Sequence, residues 1–146
     1  MIKNTTIAVA ICTLLLLAAG FHATVGARAK SVVDGVYSAA QVKRGATLYA
    51  EQCASCHGDM LEGIAGLFPA LKGDMFLMNW TGKSVGDLFT KTGDTMPAVA
   101  PGSLKPDQVA DLVAYMLSAS KYPTGSADMP TGVDALKEIQ IVAPKP

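Results

Sequence analysis

A Cys-x-x-Cys-His motif is the stretch of this sequence with the clearest chemistry. Cys53 and Cys56 are separated by two residues, and His57 follows directly. This spacing predicts covalent attachment of a c-type haem, because each thiol can add across one haem vinyl group and leave a thioether. The imidazole of His57 would then lie beneath the iron as the proximal ligand. The motif therefore predicts one covalently bound haem c.

Three other roles of a cysteine pair compete with haem attachment. A zinc site needs further Cys or His ligands, and the remaining ones, Cys12 and His22, lie in an N-terminal segment that we expect to be removed. A thioredoxin-like dithiol needs a βαβ context, which this sequence lacks. A plain disulfide is the third alternative. The shortage of further ligands favours haem over zinc.

The first 29 residues have the features of a cleavable secretory signal peptide. Lys3 precedes an almost wholly apolar run over 7–21, and Ala27-Arg28-Ala29 matches a signal-peptidase site. The run is short for a membrane span, which needs about 20 residues, and an uncleaved anchor is the alternative. We expect cleavage after Ala29 and a periplasmic protein, attached to the membrane only if the segment is retained.

Length and charge limit the classes of function. The chain has 146 residues, with 12 basic and 12 acidic side chains. Loss of residues 1–29 removes two basic residues and no acid, which leaves ten against twelve and a formal charge of −2. No basic patch is visible, so we do not expect nucleic-acid binding. The length suits one small domain.

An amphipathic helix is expected to carry the first cysteine. Ser38 and Gln41 have the spacing of a capping box, and apolar residues then recur at helical spacing from Val42 to Cys53. Gly45 in the interior of this helix costs about 1 kcal/mol relative to Ala. A close crossing with another helix would justify that cost, because a missing side chain lets two backbones approach.

A loop and an apolar cluster should follow the motif. Repeated glycines, together with Pro69, predict a loop over 58–73. The next apolar residues should form one wall of the haem site, with Trp80 as the largest of them. The other members of this cluster are Phe76, Leu77 and Met78.

Two further helices are expected in the second half of the chain. A second capping-box pattern begins at Ser84, and Gly93 should stop the helix that it starts. A long amphipathic helix should begin near Pro106 and be closed by Pro123. We expect the remaining residues, 123–146, to be an extension that is laid on the domain surface or is partly mobile.

The order of these features resembles that of the class I cytochromes c: helix, C-x-x-C-H, Gly/Pro loop, short helix, Met-Pro and long helix. The resemblance covers Tyr37 to Tyr122. It implies an all-α fold, the class I cytochrome c fold, with helices packed around one covalent haem and the N- and C-terminal helices crossing. The expected domains are a signal peptide over 1–29, a cytochrome c domain over 30–122 and a C-terminal extension over 123–146.

The resemblance also implies roles for single residues. Pro69 matches a proline whose carbonyl accepts a hydrogen bond from Nδ1 of the proximal histidine, which fixes the ring plane and makes the ligand more basic. Met96 matches the distal thioether ligand. Gly45 and Tyr49 match the positions at which the first helix crosses the last.

Met96 is also the preferred distal ligand when the methionines are compared with one another. It lies in a loop between two helices, and Pro97 biases it to an extended backbone that helps to hold the thioether in place. Met75 and Met78 are competitors, because they belong to the segment that should line the haem, and Met78 is the runner-up. Met116 lies on the apolar stripe of the last helix, where methionine more often fills a core.

These features predict a carrier of single electrons between periplasmic redox partners, with one haem c ligated by His57 and Met96 and no catalytic residue. A peroxidase-type or ligand-binding haem protein is less favoured. A peroxidase needs an open distal site with polar groups, but no distal histidine is available and Arg44 lies on the first helix. A protein that binds a small ligand at the iron would need Met96 to be absent or labile.

A narrower resemblance concerns partners. Short segments that begin at Asp34, Asn79 and Asp128 are similar to small cytochromes associated with quinoprotein alcohol dehydrogenases. They imply an alternative role as the haem c subunit of a periplasmic quinoprotein dehydrogenase. Such a dehydrogenase, or a terminal oxidase, is an expected partner.

Overall fold

The computed structural model describes residues 30–144, and the expected signal peptide, with Cys12 and His22, lies outside the described residues. After a 3-10 turn over Val32–Asp34, the described helices are α1 Ala39–Gln52, α2 Ala54–His57, α3 Gly73–Trp80, α4 Val85–Thr95, α5 Pro106–Ala119 and α6 Val133–Lys137. Within this range β-type pairing is limited to isolated bridges between single residues. None of these helices is long and apolar enough to cross a membrane. The predicted all-α fold class is confirmed.

The first long helix, α1, begins where the sequence predicts, but its capping box is only half formed. The Ser38 hydroxyl accepts a hydrogen bond from the Gln41 N–H at 3.1 Å. The Gln41 side chain does not return to Ser38. Its Oε1 accepts from the Met129 N–H at 2.6 Å, and its Nε2 donates to the Met129 carbonyl at 3.3 Å. The start of α1 therefore also holds the C-terminal segment.

The crossing of α1 and α5 is centred on Gly45. A Cβ added at this residue would lie 2.0 Å from the carbonyl oxygen of Asp111 and 2.9 Å from the Cβ of Tyr115. Real atoms do not approach so closely, so the crossing requires a residue without a side chain. One turn later, the rings of Tyr49 and Tyr115 pack with centroids 5.4 Å apart. The predicted crossing of the N- and C-terminal helices is confirmed.

The short helix α4 is longer than the sequence suggests. Gly93 does not stop it, because α4 continues to Thr95; that prediction was wrong. A Cβ at Gly93 would meet only the side chain of Val109, at an ordinary distance of 3.5 Å, so this glycine lies comfortably inside a helix. The helix ends at Met96, whose φ of −122° and ψ of 151° are extended, as expected of a residue that precedes proline.

The helix α3 forms where the sequence analysis expects only an apolar cluster. Phe76 on its inner side is buried, whereas Met75 and Met78 are 58% and 76% exposed. Asp74 lies in the first turn, where a carboxylate complements the helix dipole. Only one side of this segment therefore faces the protein, and the two competing methionines lie on the other side.

The C-terminal segment is an integral part of the core. Leu136, Ile139 and Ile141 are buried, with at most 1% of each exposed. The Gln140 carbonyl accepts from the Val32 N–H at 3.0 Å, and the Gln140 N–H donates to the Lys30 carbonyl at 2.9 Å. The described part of this segment is thus packed against residues 30–32 instead of lying on the surface. A domain boundary at residue 122 stays a prediction.

Candidate haem site

One cavity of about 490 Å³ brings together the residues singled out from the sequence. Its lining includes all of the predicted haem-site residues: Cys53, Cys56, His57, Pro69, Trp80 and Met96. They come from the junction of α1 and α2, from the loop after α2, from the end of α3 and from the residue after α4. The volume lies within the range of about 300–1,000 Å³ that is usual for cofactor sites.

The two cysteines lie at the junction of α1 and α2. Cys53 separates the two helices, and its N–H donates to the Tyr49 carbonyl at 2.9 Å. The single turn of α2 then carries Cys56 and His57. Burial, with a smaller effect of Cys56, raises the pKa of the Cys53 thiol to about 11.

The structure also limits two of the competing roles of the cysteine pair. Cys53 and Cys56 are both free thiols and form no disulfide. Within residues 30–144, no group of three or more His, Cys, Asp or Glu side chains could hold a metal ion. Haem attachment therefore remains the favoured role of the pair.

His57 is buried, and its ring is held from one side by the loop that follows α2. Its Nδ1 lies 2.8 Å from the carbonyl oxygen of Pro69. A carbonyl can only accept, so Nδ1 is the donor of this bond, and in the neutral ring Nε2 then keeps the lone pair that a metal needs. The hydrogen bond implied by the resemblance is present, while the roles of both residues toward haem stay predictions.

The loop over 58–72 folds back on itself, which brings Pro69 to His57. The Gly63 N–H donates to the His57 carbonyl at 2.8 Å, and the Leu71 N–H donates to the Leu61 carbonyl at 2.9 Å. Gly63 has a φ of +71°, and a Cβ there would lie 2.5 Å from the backbone nitrogen of Ala70. A larger residue at position 63 would therefore push the second half of the loop, which carries Pro69, away from His57.

Met96 reaches the cavity from the residue that follows α4. Its extended backbone leads into the buried Pro97. Among the described methionines, Met96 and Met116 line the cavity, whereas Met75 and Met78 do not. The position of Met96 is compatible with a distal ligand, and its ligation of iron stays a prediction.

Part of the lining was not foreseen in the sequence. One face of α4 contributes Leu88, Lys91, Thr92 and Thr95, and Lys83 contributes from the turn before it. Spacing at i, i+3, i+4 and i+7 marks one helical face, so this group could have been recognised. Of these residues, only Thr95 lies beyond Gly93, where the sequence analysis ends the helix.

The side chains around this cavity fit a haem c. They combine two thiols at the spacing of the vinyl groups, an imidazole with a free Nε2 and a thioether sulfur, which are the attachment groups and axial ligands of c-type haem. Most of the remaining lining is apolar, as an apolar macrocycle requires. No other cofactor class matches this set of donors as well.

The helical fold and the site define a class I c-type cytochrome. Residues 40–116 match the family described as "Cytochrome C oxidase, cbb3-type, subunit III", and the chain belongs to that family. The match runs from α1 into α5 and includes both cysteines, His57 and Met96. Such cytochromes bind haem c covalently, and Cys53 and Cys56 fit the attachment motif.

The chain is also similar to one solved structure, that of the sulfane dehydrogenase SoxCD from Paracoccus pantotrophus. The two share 21% sequence identity with a TM-score of 0.49, over 78% of this chain. The match covers 61% of that chain, so this protein spans less than two thirds of its length. No curated protein matches this sequence.

Proposed function

We propose that the protein is a monohaem electron carrier in which His57 and Met96 ligate the iron of one covalent haem c. The observation that carries this proposal is the convergence of both cysteines, His57 and Met96 on a single, largely apolar cavity. When bound, the haem supplies one-electron chemistry between Fe(III) and Fe(II). A histidine and methionine pair favours the reduced state relative to two histidines.

In this proposal the chain holds and orients the cofactor. Cys53 and Cys56 anchor it through thioethers, and the Pro69 carbonyl fixes the ring of His57 at 2.8 Å from Nδ1. Trp80 forms part of the wall that excludes water. An electron carrier needs fixed ligands and no acid, base or nucleophile, so the small number of titratable groups around the ligands suits this function.

A peroxidase-type function is less favoured by the position of the described arginine. Arg44 does not line the cavity. Its guanidinium pairs with Asp111 at 2.7 Å and with Asp128 at 2.9 Å. Arg44 is therefore engaged in ion pairs, whereas a peroxidase would need such a charged group beside the distal face of the haem.

The proposed partners are periplasmic donor and acceptor proteins. The description of the matching family names an oxidase subunit, which supports a terminal oxidase as electron acceptor. The segments similar to quinoprotein-associated cytochromes support a dehydrogenase as donor, or a role as its haem c subunit. Periplasmic location rests on the signal features of residues 1–29 and on haem attachment outside the cytoplasm.

The distal ligand is tested with methionine variants of the haem-loaded protein. In Met96→Ala we expect the weak far-red band of methionine-ligated ferric haem to vanish and the reduction potential to fall, because the thioether is lost. Met78→Ala is the matched control, since this side chain is 76% exposed and does not line the cavity. Met116→Leu tests the second methionine of the lining at nearly constant volume.

Met75→Ala, Met78→Ala and Met116→Leu should all keep the far-red band. The assignment fails if Met96→Ala retains a methionine-ligated spectrum while Met75→Ala, Met78→Ala or Met116→Leu loses it. A high-spin or water-ligated ferric spectrum in Met96→Ala alone supports it.

A further inference from the structure

The charged groups around the cavity are of one sign. Its lining includes Lys83 and Lys91, and no Asp or Glu side chain. Lys91 lies on α4 and Lys83 in the turn before it, whereas Cys53 lies at the junction of α1 and α2, and Cys56 and His57 lie on α2. The charged side chains of this largely apolar lining are therefore cationic, and they come from other elements than the attachment motif.

Lys83 is exposed, and backbone contacts of this residue and of the adjacent Gly82 hold the turn in which it lies. Its carbonyl accepts from the Ile141 N–H at 2.9 Å, and the adjacent Gly82 N–H donates to the Ile141 carbonyl at 2.9 Å. Its ammonium lies 4.9 Å from the centroid of the Trp80 ring, a cation–π distance. The C-terminal segment thus fixes the turn that presents this lysine beside the cavity wall.

Lys91 is presented by the helix face that lines the cavity. Leu88, Lys91, Thr92 and Thr95 share this face of α4. The start of α4 is fixed because Asp87 accepts hydrogen bonds from the N–H and hydroxyl of Ser84 at 2.9 and 2.8 Å. The capped helix therefore places the backbone of Lys91, an exposed residue, beside the same cavity.

Neither lysine charge is neutralised by an ion pair. In the described range, the ion pairs within 4.0 Å are those of Arg44 with Asp111 and Asp128. The nearest acid along the chain from Lys83, Asp87, accepts hydrogen bonds from Ser84 and interacts with Lys83 through its charge without a close ion pair. Two lysines without a close ion pair beside an apolar cavity provide charge complementarity for a dianionic ligand.

We propose that Lys83 and Lys91 form the carboxylate-binding end of this cavity and hold the two haem propionates. The inference rests on the proposed function, because it takes haem c as the ligand. Carboxylates beside an apolar lining are stabilised by paired cations. The two lysines therefore act as positioning residues that set the orientation of the haem in its plane and favour the reduced iron.

The test uses the haem-loaded, full-length protein with Lys83→Gln, Lys91→Gln and the double variant. Lys83→Arg and Lys91→Arg keep the charge, and Lys43→Gln is the control, since Lys43 is exposed on α1 and does not line the cavity. Three quantities are measured: haem retained on a denaturing gel, the reduction potential, and the carboxylate bands of the redox-difference infrared spectrum.

All variants should retain haem, because attachment depends on the cysteines. Each glutamine variant should have a lower reduction potential and shifted carboxylate bands, and the double variant should show the larger change. The arginine variants and Lys43→Gln should resemble the native protein. If the reduction potential and the carboxylate bands of the double variant are native, the inference is wrong. If these two quantities are native and only the reaction with a redox partner is slower, the lysines act in docking instead. Absence of haem from the native chain would contradict the proposed function itself.

Discussion

The crossing of α1 and α5 allows a sharp prediction about stability, through Gly45→Ala. The added Cβ would lie 2.0 Å from the carbonyl oxygen of Asp111, whereas real Cβ contacts are essentially never shorter than 3.0 Å. The atom it meets belongs to the backbone and cannot rotate away. The two helices must therefore separate by about 1 Å at this point.

The expected cost can be estimated from two opposing effects. Overpacking of a tight site costs about 1–3 kcal/mol. Because the added Cβ meets a rigid backbone atom, we expect the upper end of this range, about 3 kcal/mol. Alanine is favoured over glycine in a helix by about 1 kcal/mol. The net loss of unfolding free energy should therefore be about 2 kcal/mol, or roughly 8 °C in the melting temperature. Gly45→Val should destabilise more.

Gly93→Ala makes the same chemical change without the clash. Its Cβ would meet only the Val109 side chain, at 3.5 Å, so helix propensity should dominate and stability should rise by up to about 1 kcal/mol. Thermal unfolding of both haem-loaded variants, followed by circular dichroism, measures the contrast. Melting temperatures that shift in the same direction, or a native value for Gly45→Ala, would refute the helix-crossing account.

Other predictions concern attachment, processing and acid stability. The double variant Cys53→Ala, Cys56→Ala should lose haem on a denaturing gel, and persistent haem staining would disprove thioether attachment. Intact-mass measurement should place the mature N-terminus at Lys30, whereas retention of residues 1–29 would indicate an anchored protein. Ser38 and then Arg44 hold the pKa of Asp128 below its usual range, so its stabilisation is present above about pH 3.9 and is lost as the pH falls through the depressed pKa. The melting temperatures of native protein and Asp128→Asn should therefore converge in acid, and parallel curves would contradict this linkage.

Much of the local structure could be predicted because single residues dictate it. Gly45 indicated a helix crossing without any knowledge of the partner helix, and Pro106 begins α5 as expected. Pro97 fixes the end of α4 through the backbone restriction it places on Met96. These features depend on neighbours in the sequence or on one missing side chain.

Other features depend on contacts between distant residues and could not be predicted in this way. Gln41 has the spacing of a capping box but bonds the Met129 backbone, because the C-terminal segment comes within its reach. That segment looked peripheral in the sequence, yet Leu136 and Ile139 are buried. The prediction that Gly93 stops α4 considered only helix propensity, which disfavours glycine by about 1 kcal/mol relative to alanine. Tertiary packing of α4 against α5 outweighs this cost.

The residues of the candidate site also fall into two groups: those that the sequence predicts and those whose position depends on packing. Cys53, Cys56 and His57 were recognised from spacing, and all line the cavity. Trp80 and Met96 also line it, but Met78, from the same apolar segment as Trp80, is 76% exposed. Which side of α3 faces inward is decided by packing, so the choice between methionines needed the folded structure.

A redox titration of the native haem-loaded protein, with an optical spectrum at each potential, tests the central claim most directly. The account predicts one reversible one-electron step. It also predicts a ferric spectrum with the far-red band of methionine ligation, because His57 and Met96 are proposed to fill both axial positions. A high-spin ferric spectrum without that band, or a protein that carries no haem to titrate, would contradict it.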